Sequence, residues 1–254
     1  MPGSTPLLFR HLEKLQSTLP WGHCLDAGTG PSSARWMSGL STQSWTAVTA
    51  SHEMARQTAE ATRESIRRQD RIIVGNWLDQ TLLAEDAFDT LLLDYFIGAI
   101  ESYAPYFQDQ VLQRLRPLVR QRLYLIGVDP YVCHPMADEA GHIVREIGGL
   151  RDCCLVLAGE RPYREFPMEW VTDQLDKSRF RVLSARRFAN VYREHFIHAQ
   201  LDLSLSRLAR LPSIELQEAL RHQIEHLRVR ALAHARANNG LKCGADYVVS
   251  ACPI

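Results

Sequence analysis

The chain of 254 residues lacks a surplus of charge of either sign, because Lys plus Arg and Asp plus Glu both total 29. Phosphate backbones and anionic membranes are bound by an excess of cations, so this balance disfavours nucleic acid and lipid as partners. The chain also lacks an uncharged run of membrane-spanning length, and Arg10, Glu13 and Lys14 interrupt the amino-terminal segment where a signal peptide would be apolar. These absences predict a cytoplasmic protein.

Paired cysteines are missing as well. The six cysteines show no C-x-x-C spacing and no secretory context, so free or buried thiols are expected instead of disulfides or a zinc site. Cys133 beside His134 gives the only hint of a pair of metal ligands. We therefore predict that the protein holds no metal.

The sequence does contain an alternation of apolar strands with helical segments. The segments HCLDAG, SWTAVTAS, DRIIVGNW, AFDTLLLDYF and RLYLIGVDP are predicted strands, and RFRVLSARRF and DYVVSACP follow later in the chain. Their Val, Ile and Leu residues run on continuously, which is typical of a parallel sheet covered by helices on both faces. The pattern predicts an α/β fold with a doubly wound, mostly parallel, seven-stranded sheet, an N-terminal helix and a C-terminal helical insertion.

We expect a single domain over residues 1–254. Its parts are a leading helix over 1–20, the core sheet and its helices over 21–193, a helical insertion over 194–239 and a closing strand over 240–254. The insertion adjoins a predicted strand at each end, so we expect it to form a wall or lid of the ligand pocket.

The second helix of this insertion has an apolar stripe, formed by Leu216, Leu220, Ile224, Leu227 and Ala231. An exposed stripe of this kind needs a partner. Either the protein's own domain or a second copy could cover it, which leaves a homodimer open.

The stretch CLDAGTGPSS, Cys24 to Ser33, has the pattern of a strand that enters a glycine turn and then a helix. Glycines in such a turn let the backbone approach a nucleotide closely. The dinucleotide fingerprint is incomplete, because Ser33 stands at its third glycine and the second strand offers no acid before Glu53 to bind a ribose. A dinucleotide is therefore disfavoured.

The turn resembles the first motif of class I S-adenosylmethionine-dependent methyltransferases, in which an acid ends the first strand and x-G-x-G follows. Here the acid is Asp26, and the glycines are Gly28 and Gly30. The segments VTASHEMA, VGNW and FDTLLLDYF resemble the family's next three motifs in the same order, so the likeness covers roughly residues 21–130. A carboxylate can pair with an amino-acid ammonium but repels a pyrophosphate, which favours S-adenosylmethionine as the cofactor.

The resemblance implies a set of cofactor-binding residues: Asp26, Gly28, Thr29, Gly30, Thr49, Met54, Asn76, Trp77, Asp94 and Tyr95. In this alignment Asn76 offers a carbonyl acceptor to the adenine amine, and Trp77 lies against the adenine ring. Thr49 stands where the family usually has an acid, so one neutral hydrogen bond would replace a charge-assisted pair at the ribose. The candidates for a catalytic group are Tyr95, His134 and His195.

The function implied by the resemblance is methyl transfer from S-adenosylmethionine to a nitrogen, oxygen or sulfur atom of a small-molecule acceptor. An RNA or protein methyltransferase is one alternative, because Arg221, Arg228, Arg230 and Arg236 lie along the last long helix. A non-catalytic module that binds adenosylmethionine or adenosylhomocysteine is a second, since Thr49 departs from the family pattern. A transferase that moves the aminopropyl or aminocarboxypropyl arm is a third.

Overall fold

A computed structural model describes residues 5–132 and 136–254 of the chain. Within these ranges seven strands form one sheet in the order β3-β2-β1-β4-β5-β7-β6. The strands are β1 (His23–Asp26), β2 (Ser44–Thr49), β3 (Arg71–Val74), β4 (Phe88–Asp94), β5 (Val119–Val128), β6 (Phe180–Tyr192) and β7 (Leu241–Pro253). The pairs β1 with β2, β1 with β4, β2 with β3 and β4 with β5 are parallel. The predicted α/β class and seven-stranded, mostly parallel sheet are confirmed.

Helices connect these strands, and local sequence sets several of their starts. The helices of the described residues are α1 (Leu7–Gln16), α2 (Pro31–Ser38), α3 (His52–Thr62), α4 (Phe96–Ala99), α5 (Gln108–Leu115), α6 (Glu139–Leu157), α7 (Met168–Lys177), α8 (Glu194–Leu208) and α9 (Ile214–Ala237). Pro31 is the first residue of α2, where a backbone N–H would have no partner within the helix, so the missing N–H of proline costs nothing. The Ser51 hydroxyl caps α3 by accepting from the N–H of Met54 at 3.2 Å. Among the described residues, no helix has the length and apolar character needed to cross a membrane.

β1 lies inside the sheet, between β2 and β4. Leu25 is in register with Thr46 of β2 and Leu91 of β4, and all three residues are buried. Because the strands are parallel, their carboxyl ends meet at one edge of the sheet, where open α/β sheets bind their ligands. Asp26 ends β1 and Thr49 ends β2 at this edge.

The chain divides into two compact units. The first consists of Met1–Val128, Glu165–Arg187 and Tyr247–Ile254, and the second of Asp129–Arg164 and Phe188–Asp246. Strands β6 and β7 therefore contribute residues to both. The predicted insertion over 194–239 falls within the second unit, and its role as a lid stays a prediction.

The first unit has a core of buried aliphatic and aromatic side chains from the sheet and the helices around it. The leading helix α1 belongs to this unit. Phe9 of α1 stacks on Trp36 with the ring centroids 4.6 Å apart, and Gln16 accepts a hydrogen bond from the Tyr124 hydroxyl at 2.6 Å. These contacts connect α1 to α2 and to β5.

The second unit contains α6, α8 and α9, which pack on one another. The predicted apolar stripe of α9 is buried at Ile224, Leu227 and Ala231 and half-buried at Leu216 and Leu220. Helices α6 and α8 give this stripe a partner within the same chain. The stripe therefore does not require a second copy of the protein to cover it.

This packing predicts unequal effects of two substitutions on neighbouring faces of α9. Leu227→Ala should lower the free energy of unfolding by about 2–5 kcal/mol, because it removes a fully buried side chain. Val229→Ala, at a side chain that is 69% exposed, should change it by less than about 0.5 kcal/mol. Urea denaturation followed by circular dichroism measures both values. Equal values for the two variants would show that the stripe is not packed as described.

Candidate functional site

Asp26 ends β1 as a fully buried carboxyl group. Neither of its oxygens has a hydrogen-bond partner within the described part of the chain. Burial raises the pKa of Asp26 from 3.8 to about 6. The hydroxyls of Ser33 and Thr29 and the N–H of Gly28 are close enough to favour the charged form and offset part of this effect, although none is in hydrogen-bonding geometry. Asp26 can therefore accept a cation or a hydrogen-bond donor that a ligand brings.

The glycine turn after Asp26 is fixed by its backbone on two sides. The N–H of Ala27 donates to the carbonyl of Leu92 in β4 at 3.1 Å, and the N–H of Thr29 donates to the carbonyl of Val48 in β2 at 2.8 Å. Ser33 closes the turn where the dinucleotide fingerprint would have a glycine, because its hydroxyl accepts from the Gly30 N–H at 3.2 Å. The turn is thus held between the two strands that flank β1.

The two glycines of the turn have different surroundings. A methyl carbon added to Gly28 would overlap the ring of Phe96, so the space in front of this residue is filled by the protein. A methyl carbon on Gly30 would lie 3.8 Å from the sulfur of Met54, which is an ordinary contact. Gly30 is therefore the less crowded of the two glycines, and Met54 of α3 adjoins it.

The end of β2 presents Thr49, which is buried. Its hydroxyl oxygen accepts from the N–H of Ser51 at 3.2 Å, and its carbonyl accepts from the N–H of Gly75 at 2.9 Å. The hydroxyl hydrogen can still be donated to a ligand. Thr49 can thus supply the single neutral hydrogen bond expected at the ribose, while it also shapes the turn into α3.

The segment after β3 is tied to backbone groups of the protein. Asn76 donates from Nδ2 to the carbonyl of Tyr103 at 2.7 Å, and its Oδ1 accepts from the N–H of Leu78 at 3.0 Å. Trp77 is only 4% exposed, and its Nε1 donates to the carbonyl of Ala27 at 2.7 Å. Both side chains hold neighbouring backbone in place, and their contacts with an adenine ring stay predictions.

The end of β4 brings Asp94 and Tyr95 to the same edge of the sheet as Asp26. Leu92 is in register with Asp26, and both Asp94 and Tyr95 are half-buried just beyond it. Tyr95 has a left-handed backbone, with φ 48° and ψ 22°, which costs energy for a residue other than glycine. Its N–H donates to the carbonyl of Ile126 in β5 at 2.9 Å, which fixes this turn.

The predicted catalytic candidates occupy different parts of the chain. Tyr95 belongs to the first unit, together with the predicted cofactor-binding residues. His195 is an exposed residue at the start of α8 in the second unit. His134 lies outside the described residues, as does Cys133.

Two site residues were missing from the set that the resemblance implied. Phe96 covers Gly28, and Ser33 binds the Gly30 backbone and favours the charged form of Asp26. The signal for Phe96 is its place directly after Asp94 and Tyr95, in a segment rich in aromatic residues. Ser33 was visible only as the residue that replaces a fingerprint glycine.

No protein-family model and no curated protein matches the sequence of this chain. Solved structures, in contrast, are similar to it in fold. A putative methyltransferase from Bacillus halodurans C-125 superposes with a TM-score of 0.61 at 11% identity, over 97% of this chain and 99% of that one. Coclaurine N-methyltransferase bound to N-methylheliamine and SAH (S-adenosylhomocysteine) gives 0.54 at 13% identity, over 96% and 71% of the two chains. The [4+2]-cyclase SpnF gives 0.57 at 14% identity, over 97% and 79%.

These similarities establish the fold, which is that of class I S-adenosylmethionine-dependent methyltransferases. The predicted resemblance is therefore confirmed for the fold. The glycine turn of this chain is therefore a candidate cofactor site on a fold that, in the coclaurine enzyme, was solved with SAH.

The unequal surroundings of the glycines predict unequal effects of adding a methyl group. Gly28→Ala should lower the free energy of unfolding by about 1–3 kcal/mol through overlap with Phe96. Gly30→Ala should cost less than about 1 kcal/mol, the scale of a helix N-cap change. Thermal denaturation measures both. Phe96→Leu should restore part of the stability of Gly28→Ala, and failure to do so would contradict the assigned contact.

The unpartnered carboxyl of Asp26 predicts that Asp26→Asn stabilises the protein at neutral pH. Because the folded pKa is about 6 and the usual value is 3.8, ionisation opposes folding, and this loss of stability develops as the pH rises from about 4 to about 6. At pH 7.5 the variant should be more stable by up to about 3 kcal/mol, and near pH 4 the difference should vanish. Urea denaturation at both pH values tests this. A variant that is less stable than the wild type at pH 7.5 would show that Asp26 has a stabilising partner.

Proposed function

We propose that the protein is a cytoplasmic S-adenosylmethionine-dependent methyltransferase that binds its cofactor at the glycine turn. The observation that carries the proposal is Asp26, a fully buried acid at the end of β1 with no partner for either oxygen in the described chain. Leaving buried oxygens without partners is costly, so a donor from a ligand is expected there. The ammonium of an amino acid, bound directly or through a water molecule, is a donor of the right charge.

The other residues of the strand edge fit the remaining parts of this cofactor. Gly30 leaves space for close approach beside Met54, and Thr49 offers one hydrogen bond to a ribose hydroxyl. When bound, S-adenosylmethionine supplies a methyl carbon made electrophilic by its sulfonium. Asp26 and Thr49 would orient the two ends of the cofactor, so that an acceptor can be aligned with the bond that breaks.

A small molecule is the acceptor that the observations favour, through a nitrogen, oxygen or sulfur atom. The chain is formally neutral, and the coclaurine enzyme, which is named for a small molecule, shares its fold. Aromatic side chains follow β4, and Tyr103 and Tyr106 are 49% and 64% exposed there. Aromatic faces can hold an amine or sulfonium cation. Tyr95, at the end of β4, is the candidate for contact with the acceptor.

The basic face of α9 gives little support to an RNA acceptor. Arg228 pairs with Asp202 at 2.8 Å and Glu225 at 3.2 Å, Arg236 pairs with Glu194 at 2.9 Å, and Arg230 pairs with Glu146. For these three of the four arginines the paired carboxylates offset the positive charge that would attract phosphates. This argues against the RNA alternative that the sequence left open.

A second candidate function is cofactor binding without methyl transfer. It is favoured by Thr49 at the ribose position and by SpnF, a protein with this fold that is named as a cyclase. Offering the protein S-adenosylmethionine with a labelled methyl group, together with a metabolite extract, separates the two. Label in a small molecule supports a methyltransferase, whereas binding without any transfer of label supports the second candidate.

The proposed role of Asp26 predicts a pH-dependent affinity for the cofactor. A carboxyl with a pKa of about 6 is only about one-tenth ionised at pH 5, so the affinity for adenosylhomocysteine should fall about tenfold between pH 7.5 and pH 5. Asp26→Asn should bind weakly at both pH values. Asp86→Asn, which removes a partly exposed acid paired with Arg71, is the matched control and should behave like the wild type. Calorimetric titration that detects no binding of either adenosylmethionine or adenosylhomocysteine would end the proposal.

A further inference from the structure

The carbonyl of Ala27 connects the glycine turn to a distant part of the chain through a hydrogen bond. Ala27 lies between Asp26 and Gly28 and is 1% exposed. Its N–H is bound to Leu92 of β4, and its carbonyl accepts from the indole N–H of Trp77 at 2.7 Å. The backbone N–H and the backbone carbonyl of Ala27 therefore both have fixed partners. The direction in which the chain leaves Asp26 depends on these two hydrogen bonds.

Trp77 comes from the segment after β3, 50 residues further along the chain, and that segment is itself anchored. The N–H of Gly75 donates to the carbonyl of Thr49 at 2.9 Å, and Asn76 bridges Tyr103 and Leu78. The indole is therefore a fixed donor, because the residues on its amino-terminal side are bound to β2 and to the segment after β4. It connects the proposed ribose end of the site to the turn beside Asp26.

Arg114 of α5 supports Trp77 from a third direction. Its guanidinium lies 5.7 Å from the centre of the Trp77 ring, within the range of a cation–π interaction. The same guanidinium donates to the carbonyls of Leu82 at 2.6 Å and Gln80 at 3.2 Å. It thereby ties the segment that follows Trp77 to α5.

We propose that Trp77 is a positioning residue, whose indole N–H fixes the glycine turn in the shape that binds the methyl donor, with Arg114 as its support. This inference rests on the proposed function and deepens it. Trp77 acts on the cofactor through Ala27, and its ring need not touch the adenine.

The chain offers a matched control in Trp45 of β2. Trp45 is likewise buried, but its indole nitrogen has no partner in the described part of the protein. Replacing either residue by Phe removes similar buried volume, and only Trp77→Phe removes a bond to the turn. Two readouts are needed: hydrogen exchange at the Ala27 and Thr29 amides in the protein alone, and the affinity for adenosylhomocysteine.

Trp77→Phe should speed exchange at these two amides and weaken adenosylhomocysteine binding by about fivefold each, the factor expected for one neutral hydrogen bond. Trp45→Phe should change the affinity by no more than about twofold, and it should speed exchange at these amides only by the factor that its own loss of stability, measured by urea denaturation, accounts for. Equal effects of the two variants on both readouts would overturn the inference. Failure of the wild type to bind either cofactor form would instead end the proposed function, and the exchange rates would still decide whether Trp77 holds the turn.

Arg114→Met provides a second test that does not depend on the folding of Trp77→Phe. Arg116→Met is its control, because Arg116 also lies over a ring, that of Phe180 at 5.4 Å, and also donates to backbone carbonyls. Arg114→Met should speed exchange at Ala27 and Thr29 by about twofold or more relative to Arg116→Met, since it removes a cation–π support. Indistinguishable exchange in the two variants would overturn the supporting role of Arg114.

Discussion

A carboxyl group buried without a partner is the constraint on which this site depends. Asp26 is placed there by β1, a strand inside the sheet, and its oxygens form no hydrogen bond within the described protein. Such an arrangement costs stability unless a ligand supplies the missing charge or hydrogen bond. The surrounding structure holds the glycine turn in place, so the neighbouring donors do not move into hydrogen-bonding positions around Asp26.

The turn is held by contacts from several parts of the first unit. Leu92 and Val48 bind its backbone from the neighbouring strands, Phe96 fills the space in front of Gly28, and Trp77 donates to the residue between Asp26 and Gly28. Of the two glycines, only Gly30 has room for an added methyl group without overlap. These contacts hold the backbone of the candidate site in place without a ligand, which would reduce the ordering cost of binding a cofactor there.

The sequence predicted the sheet and the glycine turn because both depend on local patterns. Continuous apolar strands predict buried parallel pairing, and the resemblance of the acid and its x-G-x-G to the first methyltransferase motif implies a turn that holds adenosylmethionine. The roles of Asn76 and Trp77 could not be read in this way, because their partners Tyr103 and Ala27 are distant in sequence. The overlap of Gly28 with Phe96 was hidden for the same reason, since a glycine pattern does not tell which group occupies the space in front of it.

The measurement that tests the central claim most directly is proton release on binding of adenosylhomocysteine at pH 6. Calorimetric titrations in two buffers with different ionisation enthalpies give the number of protons released. Asp26, with a pKa of about 6, is about half protonated at this pH, so binding of an ammonium near it should release about half a proton per site. Asp26→Asn should release none. Binding by the wild type with no proton release would contradict the claim that Asp26 receives the ammonium of the cofactor.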